Sequence, residues 1–316
     1  MTKKLAFFLL VIITGLMISC SPQNSSTDGS TEDVIRIGYQ KNGPLIILKT
    51  LGTLEERLES EGYKVEWNEF QAGPALVEAL NADSIDFGRT GNTPPIFAQA
   101  ANAPFLTVAA GKSKFEGSGI LVAEGSSILS LEDLKGKKVS FSKGSSSHYL
   151  IVKALESVGL TYSDITPVYL SPGDARIAFE QGQTDAMVVW DPFTSSTQIN
   201  MGAKLLIDGE GYTTDRDFFI ANKEFAKENH EIIDIVLEEI EKSSDWANNN
   251  HGELVKMLAP IIDIDEASIE MAVKRRVYGV DSINDEIIKE QQEIADTFYR
   301  LDIIPKKINV KEVMDD

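Results

Sequence analysis

Between a strand-like Lys138–Phe141 and a helix-like stretch at 149–156 stands Lys143-Gly144-Ser145-Ser146-Ser147-His148, a glycine followed by three hydroxyls and an imidazole. Such a string is open to two chemistries. As a binding element, Gly144 allows a tight turn, and the hydroxyls join the free N–H groups that open a helix to form a cradle for an anion. An ordinary helix cap needs one Ser, so three in succession point to a ligand contact. As a nucleophile system the string is poor. Ser147 and His148 are neighbours at a helix start and face different sides, and the Gly-x-Ser-x-Gly elbow is absent. The three histidines, His148, His230 and His251, share no metal-ligand spacing. The expectation is binding without catalysis, with no cofactor and no metal.

Three further turns have the same character. In parallel α/β sheets, ligands collect beyond the carboxyl ends of strands, where helix N-termini gather. Residues 40–44, 90–94, 145–148 and 190–193 fit that description, two turns from each half of the fold. The candidate contacts are Gln40, Thr90, Gly91 and Asn92 on one side, and Ser145, Ser146, Ser147, His148, Trp190, Asp191 and Phe193 on the other. Trp190 and Phe193 would cover an apolar part of a ligand. Asp191 caps the next helix or, facing a ligand, suits a polar or cationic group. A helix N-terminus is worth about 0.3–1 kcal/mol to an exposed anion, and a hydrogen bond to a charged group about 1.5–3 kcal/mol. Three or four such donors reach the ~8 kcal/mol of micromolar binding after association costs. No fixed cation is required, although Lys41, Lys143 or an arginine would assist.

The elements that must position these turns alternate strand and helix, the grammar of α/β units around largely parallel sheets. Strands are expected at 34–39, 65–70, 85–88, Lys138–Phe141, 166–170 and Ala186–Trp190. Helices are expected at 44–59, 75–80, 96–101, 147–158, after Ser171 with Asp174 as a capping acid, and after Asp191-Pro192. Ala79-Leu80 before Asp86 parallels Ala178-Phe179 before Asp185, which suggests two similar lobes about 100 residues apart. Segments 118–123 and 218–221 bracket the second lobe and would pair as crossing strands of a hinge. The expected boundaries are 34–117 and 223–316 for the first lobe, and 118–222 for the second. Ile232, Ile233, Val236, Leu237 and Ile240, then Ile287, Ile288, Ile294 and Phe298, have the apolar spacing of core-facing helices.

The first residues specify a destination. Lys3 and Lys4 precede a 14-residue, mostly apolar run at 5–18, too short to span a bilayer and fitting a signal peptide. Met17-Ile18-Ser19-Cys20 resembles a bacterial lipobox, with Met where Leu is more usual. Cys20, the chain's single cysteine, is therefore expected to carry a lipid anchor, with 1–19 removed and 20–33 as a flexible tether. The 297 residues that remain are enough for two lobes with cores, held outside the cytoplasm at the cell membrane. A lone cysteine makes no internal disulfide and no thiolate metal site. The formal charge is −19, which opposes nucleic-acid binding. It leaves room for a small anion, because screening at physiological salt makes local donors decisive.

Arg36-Ile37-Gly38-Tyr39-Gln40-Lys41, the run Gly91-Asn92-Thr93-Pro94-Pro95-Ile96-Phe97-Ala98-Gln99-Ala100, the Lys143-to-His148 string, Trp190-Asp191-Pro192 and Ile304-Pro305-Lys306-Lys307-Ile308 resemble the sulfonate-binding proteins of ABC importers. The resemblance covers nearly all of 34–310. It implies a two-lobed type II periplasmic-binding fold that closes on its ligand and delivers it to a membrane permease driven by an ATPase. Monomeric action is expected. Gln40, Thr90, Gly91, Ser145, Ser146, Ser147 and Trp190 would line the site, and Arg276, beside Arg275, resembles a basic position near the cleft. The family often has Ser-Thr-Gly-Asp where this chain has Arg89-Thr90-Gly91-Asn92. Losing that carboxylate favours an anion, and Arg89 adds a cation or a solvated side chain. Related proteins take taurine, nitrate, aromatic acids or thiamine precursors, and a thiamine-pyrimidine synthase shares the fold.

Overall fold

The computed structural model describes residues 33–315, so the expected signal peptide, Cys20 and most of the expected tether lie outside the described residues. The first lobe opens with β1 (Asp33–Tyr39), α1 (Pro44–Leu51), α2 (Thr53–Glu59), β2 (Tyr63–Glu69), α3 (Gly73–Asn81), β3 (Phe87–Gly91), α4 (Pro94–Ala100) and β4 (Phe105–Gly111). The second comprises β5 (Ser118–Val122), β6 (Lys138–Phe141), α5 (Ser146–Ser157), β7 (Thr166–Tyr169), α6 (Pro172–Glu180), β8 (Ala186–Trp190), α7 (Phe193–Met201) and β9 (Lys204–Asp208). The chain returns through β10 (Asp217–Asn222) to α8 (Lys223–Glu228), α9 (His230–Asn249), α10 (His251–Ile262), α11 (Glu266–Lys274), β11 (Val280–Asp281) and α12 (Asp285–Arg300).

The two sheets share one plan. The order is β11-β4-β10-β3-β1-β2 in the first and β7-β6-β8-β5-β9 in the second. Apart from β11, each reads second strand, first, third, an inserted strand, fourth. The first three strands of each pair in parallel, and the inserted β10 and β5 run antiparallel to their neighbours. The sheets are therefore mixed rather than largely parallel. The expected parallel between Asp86 and Asp185 has a structural counterpart. Asp86 accepts from the backbone N–H of Arg36 at 2.7 Å, and Asp185 from that of Lys138 at 2.7 Å. Each Asp returns its own N–H, to Arg36 O and Lys138 O, at 2.8 Å. Each Asp thus fastens the start of its third strand to the first.

Two expectations about elements are corrected. The helix expected at 44–59 is two, because Gly52 at φ 73° leaves the right-handed path and caps α1 through its N–H to Leu48 O. The segments at 118–123 and 218–221 do not pair with each other. β5 lies between β8 and β9, and β10 lies between β3 and β4. β10 therefore belongs to the first sheet, and the crossings are the stretches at 112–117 and 209–216. They are tied by Lys114 N–H to Thr214 O at 3.0 Å and by the Ser113 hydroxyl to Thr214 O at 2.9 Å.

Apolar side chains bury both faces of each sheet. Leu45, Ile47, Val236, Ile240 and Leu254 cover one face of the first sheet, and Leu76, Ile96, Ile294 and Phe298 the other. Leu150 and Leu155 cover one face of the second, and Ala175 and Phe179 the other. Tyr149 and Val152 of α5 join the core that contains Phe298, so the lobes share packing along α5 and α12. Among the described residues, no helix is long and apolar enough to cross a membrane.

Candidate ligand site between the lobes

Two small chambers lie where the carboxyl ends of the strands meet. The first is lined by Gln40, Arg89 and Gly91 from one lobe and Ser145, Ser146 and Trp190 from the other. The second is lined by Asp191, Arg275 and Arg276. Asn42, Lys114, Trp190 and Asp215 face both. The lobes touch here: a Cβ on Gly91 would overlap the Ser146 hydroxyl, and one on Gly144 would lie 3.6 Å from the Phe97 ring. Only a strand without a side chain can approach α5 so closely.

A buried charge network surrounds the chambers. Arg89, 2% exposed, donates to a carboxylate oxygen of Asp217, to Gln40 Oε1 at 3.0 Å and to Asn42 Oδ1 at 2.7 Å. Asp217 also accepts from Arg276 at 2.8 Å, and Lys114 stands 3.6 Å away. Lys114 lies 2.6 Å from Asp215, which accepts from the Ser118 hydroxyl. Burial opposes ionisation of Asp217, but Arg89, Lys114 and Arg276 outweigh it and hold its carboxyl well below the usual range. Burial pushes Asp191 upward, against its bonds from Ser195 and the charge of Arg275. Four cations, Arg89, Lys114, Arg275 and Arg276, thus stand against three carboxylates, Asp191, Asp215 and Asp217. Gln40 Nε2, Arg89 Nε, Arg275 Nη1 and Arg276 Nε are buried donors with no hydrogen-bond partner in the protein. Such groups are costly unless something accepts from them.

Of the residues singled out in the sequence, Gln40, Gly91, Ser145, Ser146, Trp190, Asp191 and Arg276 come together around the chambers. The Ser145 hydroxyl donates to Ser142 O at 2.7 Å and braces the turn. Asp191 caps α7, accepting from Ser195 N–H at 2.9 Å. The others lie elsewhere. Thr90 is fully buried, its hydroxyl against Gly73. Asn92 turns to the hinge, donating to Thr213 Oγ1 at 3.2 Å. Ser147 is buried outside the chamber linings, with its Oγ unpartnered. Phe193 packs beside the Leu121, Ala175 and Phe179 core. His148 is turned away among Phe97, Phe141, Tyr162, Tyr169 and Phe298, and its Nδ1 accepts from Gly144 N–H at 3.2 Å. It serves neither as an anion donor at the chambers nor as a base for Ser147.

Of the two roles open to Arg89, a cation at the site or a solvated side chain, its position favours the first, for it lines the first chamber and is among the most buried side chains. Asn42, Lys114, Asp215 and Asp217 were not singled out. Asn42 lies within the 40–44 turn, and for Lys114, Asp215 and Asp217 the one legible signal is position, as charges beside apolar strands at the two crossings.

The family described as NMT1/THI5 like matches residues 58–253. A protein of Escherichia coli (strain K12) named as an aliphatic sulfonates-binding protein is 38% identical over 285 residues, covering 90% of this chain and 89% of its own. One of the same name in Bacillus subtilis (strain 168) is 37% identical over 316 residues, covering 99% and 95%. The structure of the alkanesulfonate-binding protein SsuA from Xanthomonas axonopodis pv. citri, bound to MOPS, superposes with a TM-score of 0.86 at 37% identity, covering 89% of this chain and 98% of that one. With fold and length matched together, this chain belongs to the NMT1/THI5-like family, in the company of the sulfonate-binding proteins, and takes the α/β periplasmic-binding-protein fold.

Proposed function

We propose that this protein is the extracytoplasmic, lipid-anchored binding component of an ABC importer, that it captures an organosulfonate in the first chamber, and that it hands it to a membrane permease without chemistry. The single observation that carries the reading is the balance of charge: four cations, Arg89 buried and Lys114, Arg275 and Arg276 half-buried, stand against three carboxylates, an excess of positive charge that a sulfonate offsets. Three sulfonate oxygens suit the side chains of Ser146, Gln40 and Arg89 and the free N–H groups that open α5. A sulfonate stays ionised across physiological pH, so capture needs no proton. The relatives' names support the same ligand class. The alternative within the binding class is taurine, nitrate or another small anion. For taurine, the carboxylate its amine would need is Asp191, whose Oδ2 has no hydrogen bond in the second chamber and lies 3.7 Å from Arg275 Nη1.

Calorimetry on Ser146→Ala tests the cradle. The variant should bind hexanesulfonate at least tenfold more weakly while its unliganded melting temperature changes little. Unchanged affinity would sink the assignment. A thermal-shift series of alkanesulfonates, taurine and nitrate separates the ligands.

A further inference from the structure

Two arms close the start of a fully boxed helix: the N-cap side chain accepts from an N–H of the first turn, and the side chain three places on reaches back to an N–H at the cap. The start of α5 has only the second arm. Ser145 is its N-cap, but the Ser145 hydroxyl goes to Ser142 O at 2.7 Å and makes no capping bond to the helix. The N–H groups that open α5 are thereby left for a ligand. The returning arm comes from His148, the third residue of the helix, where a capping box has Glu or Gln. Its Nδ1 accepts from Gly144 N–H at 3.2 Å, one residue before the cap, across a turn that Gly144 enters at φ 74°.

The ring is held as firmly as the turn. It is 1% exposed. Phe141 and Tyr162 of its own lobe stand 5.2 and 5.3 Å from it between centroids, and Phe298 and Phe97 of the other lobe 5.2 and 6.2 Å. Phe97 also lies against Gly144, so one ring bears on both ends of the Gly144–His148 bond. Only a neutral imidazole leaves Nδ1 free to accept. Burial and the charge of Lys143 keep it so. Tyr162 and Tyr169, whose hydroxyls share a hydrogen bond at 2.9 Å, are titratable groups that face it, while α4 and α12 present the phenyl rings of Phe97 and Phe298.

We propose that His148, which lies outside both chamber linings, is a positioning residue: by fixing Gly144 it aims the open N–H groups of α5 and the Ser146 hydroxyl into the first chamber. This rests on the proposed function, which places the anion there, and adds to it the residue that holds the cradle in place. The string then divides its work. Ser145 braces the turn, His148 clamps it from within the protein, and Ser146 is left to the ligand.

The test separates positioning from packing with two variants of the full chain, His148→Phe and His148→Asn, in calorimetry with hexanesulfonate at pH 7. Phe refills the aromatic cage but has no acceptor. Asn keeps one, since its Oδ1 is bonded to Cγ as Nδ1 is, but leaves the cage underfilled. His148→Asn should therefore melt below both the wild type and His148→Phe. Affinity should run the other way: His148→Phe at least tenfold weaker than the wild type, His148→Asn within threefold of it. A His148→Phe variant that binds like the wild type, or affinities that follow the melting temperatures, would overturn the role. Nitrogen-15 NMR of the wild-type imidazole needs no variant to fold. Nδ1 should stay unprotonated and hydrogen-bonded, with the proton on Nε2, from pH 8 to 5.5, a range across which an unperturbed histidine titrates. A proton on Nδ1 overturns the role as well. If the wild type binds no sulfonate, the proposed function fails and the positioning role with it; if it binds and the variants rank by stability, the positioning role alone falls.

Discussion

His148 follows from its neighbours. Nδ1 accepts from Gly144 N–H, so the ring proton sits on Nε2, and aromatic rings from both lobes surround it. Burial, with the nearby charge of Lys143, lowers its pKa from 6.5 to about 4. The folded state therefore binds a proton less readily than the unfolded chain. The stability this neutral histidine contributes is complete above pH 6.5 and is lost as pH falls towards 4, by an amount on the order of 3 kcal/mol. Melting temperatures between pH 7 and 4 should fall less steeply in His148→Phe than in the wild type; parallel curves would refute the assignment. The string around His148 announced a special turn. It could not say which way the imidazole pointed, because Phe97 and Phe298 arrive from distant parts of the chain.

At the level of elements, the cleft is the meeting of β3 with the first turn of α5. Gly91 is the contact point, where a side chain would meet the Ser146 hydroxyl. Its φ lies outside the left-handed region, so alanine costs only the overlap. Gly91→Ala should therefore melt within a few degrees of the wild type, yet bind hexanesulfonate at least tenfold more weakly. In solution scattering with saturating ligand it should keep a larger radius of gyration. A wild-type affinity would mean that β3 and α5 need not touch in the bound state. The sequence marked both elements, since strand-to-helix turns with Gly, Pro and Ser are local chemistry. The break at Gly52 was as local in origin, but an apolar stripe continuing through it concealed it.

For the whole molecule, the common strand order and the Asp86 and Asp185 fastenings present two copies of one α/β plan, each receiving an antiparallel strand where the chain crosses. The proposed role also requires the body to stay at the membrane, which depends on Cys20. Fatty-acid labelling in a bacterial host that processes lipoproteins should mark the wild type and not Cys20→Ala, with the variant released into the soluble fraction. Equal labelling, or an unlabelled wild type, would remove the anchor from the reading.

By itself, the sequence determined the alternation of strands and helices, the two lobes and the four turns at the cleft, and it made a small anion, not nucleic acid, the expected partner. Each of these is carried by spacing or composition within one segment. The tertiary structure decided which of those turns put side chains into the chambers, and it replaced a neutral cradle with a charged one. Arg89, Lys114, Arg276, Asp215 and Asp217 stand up to 187 residues apart and read singly as surface charges. They become a site only when β3, β10 and the crossings exclude water from them together, because burial is what makes an unbalanced charge demand a partner.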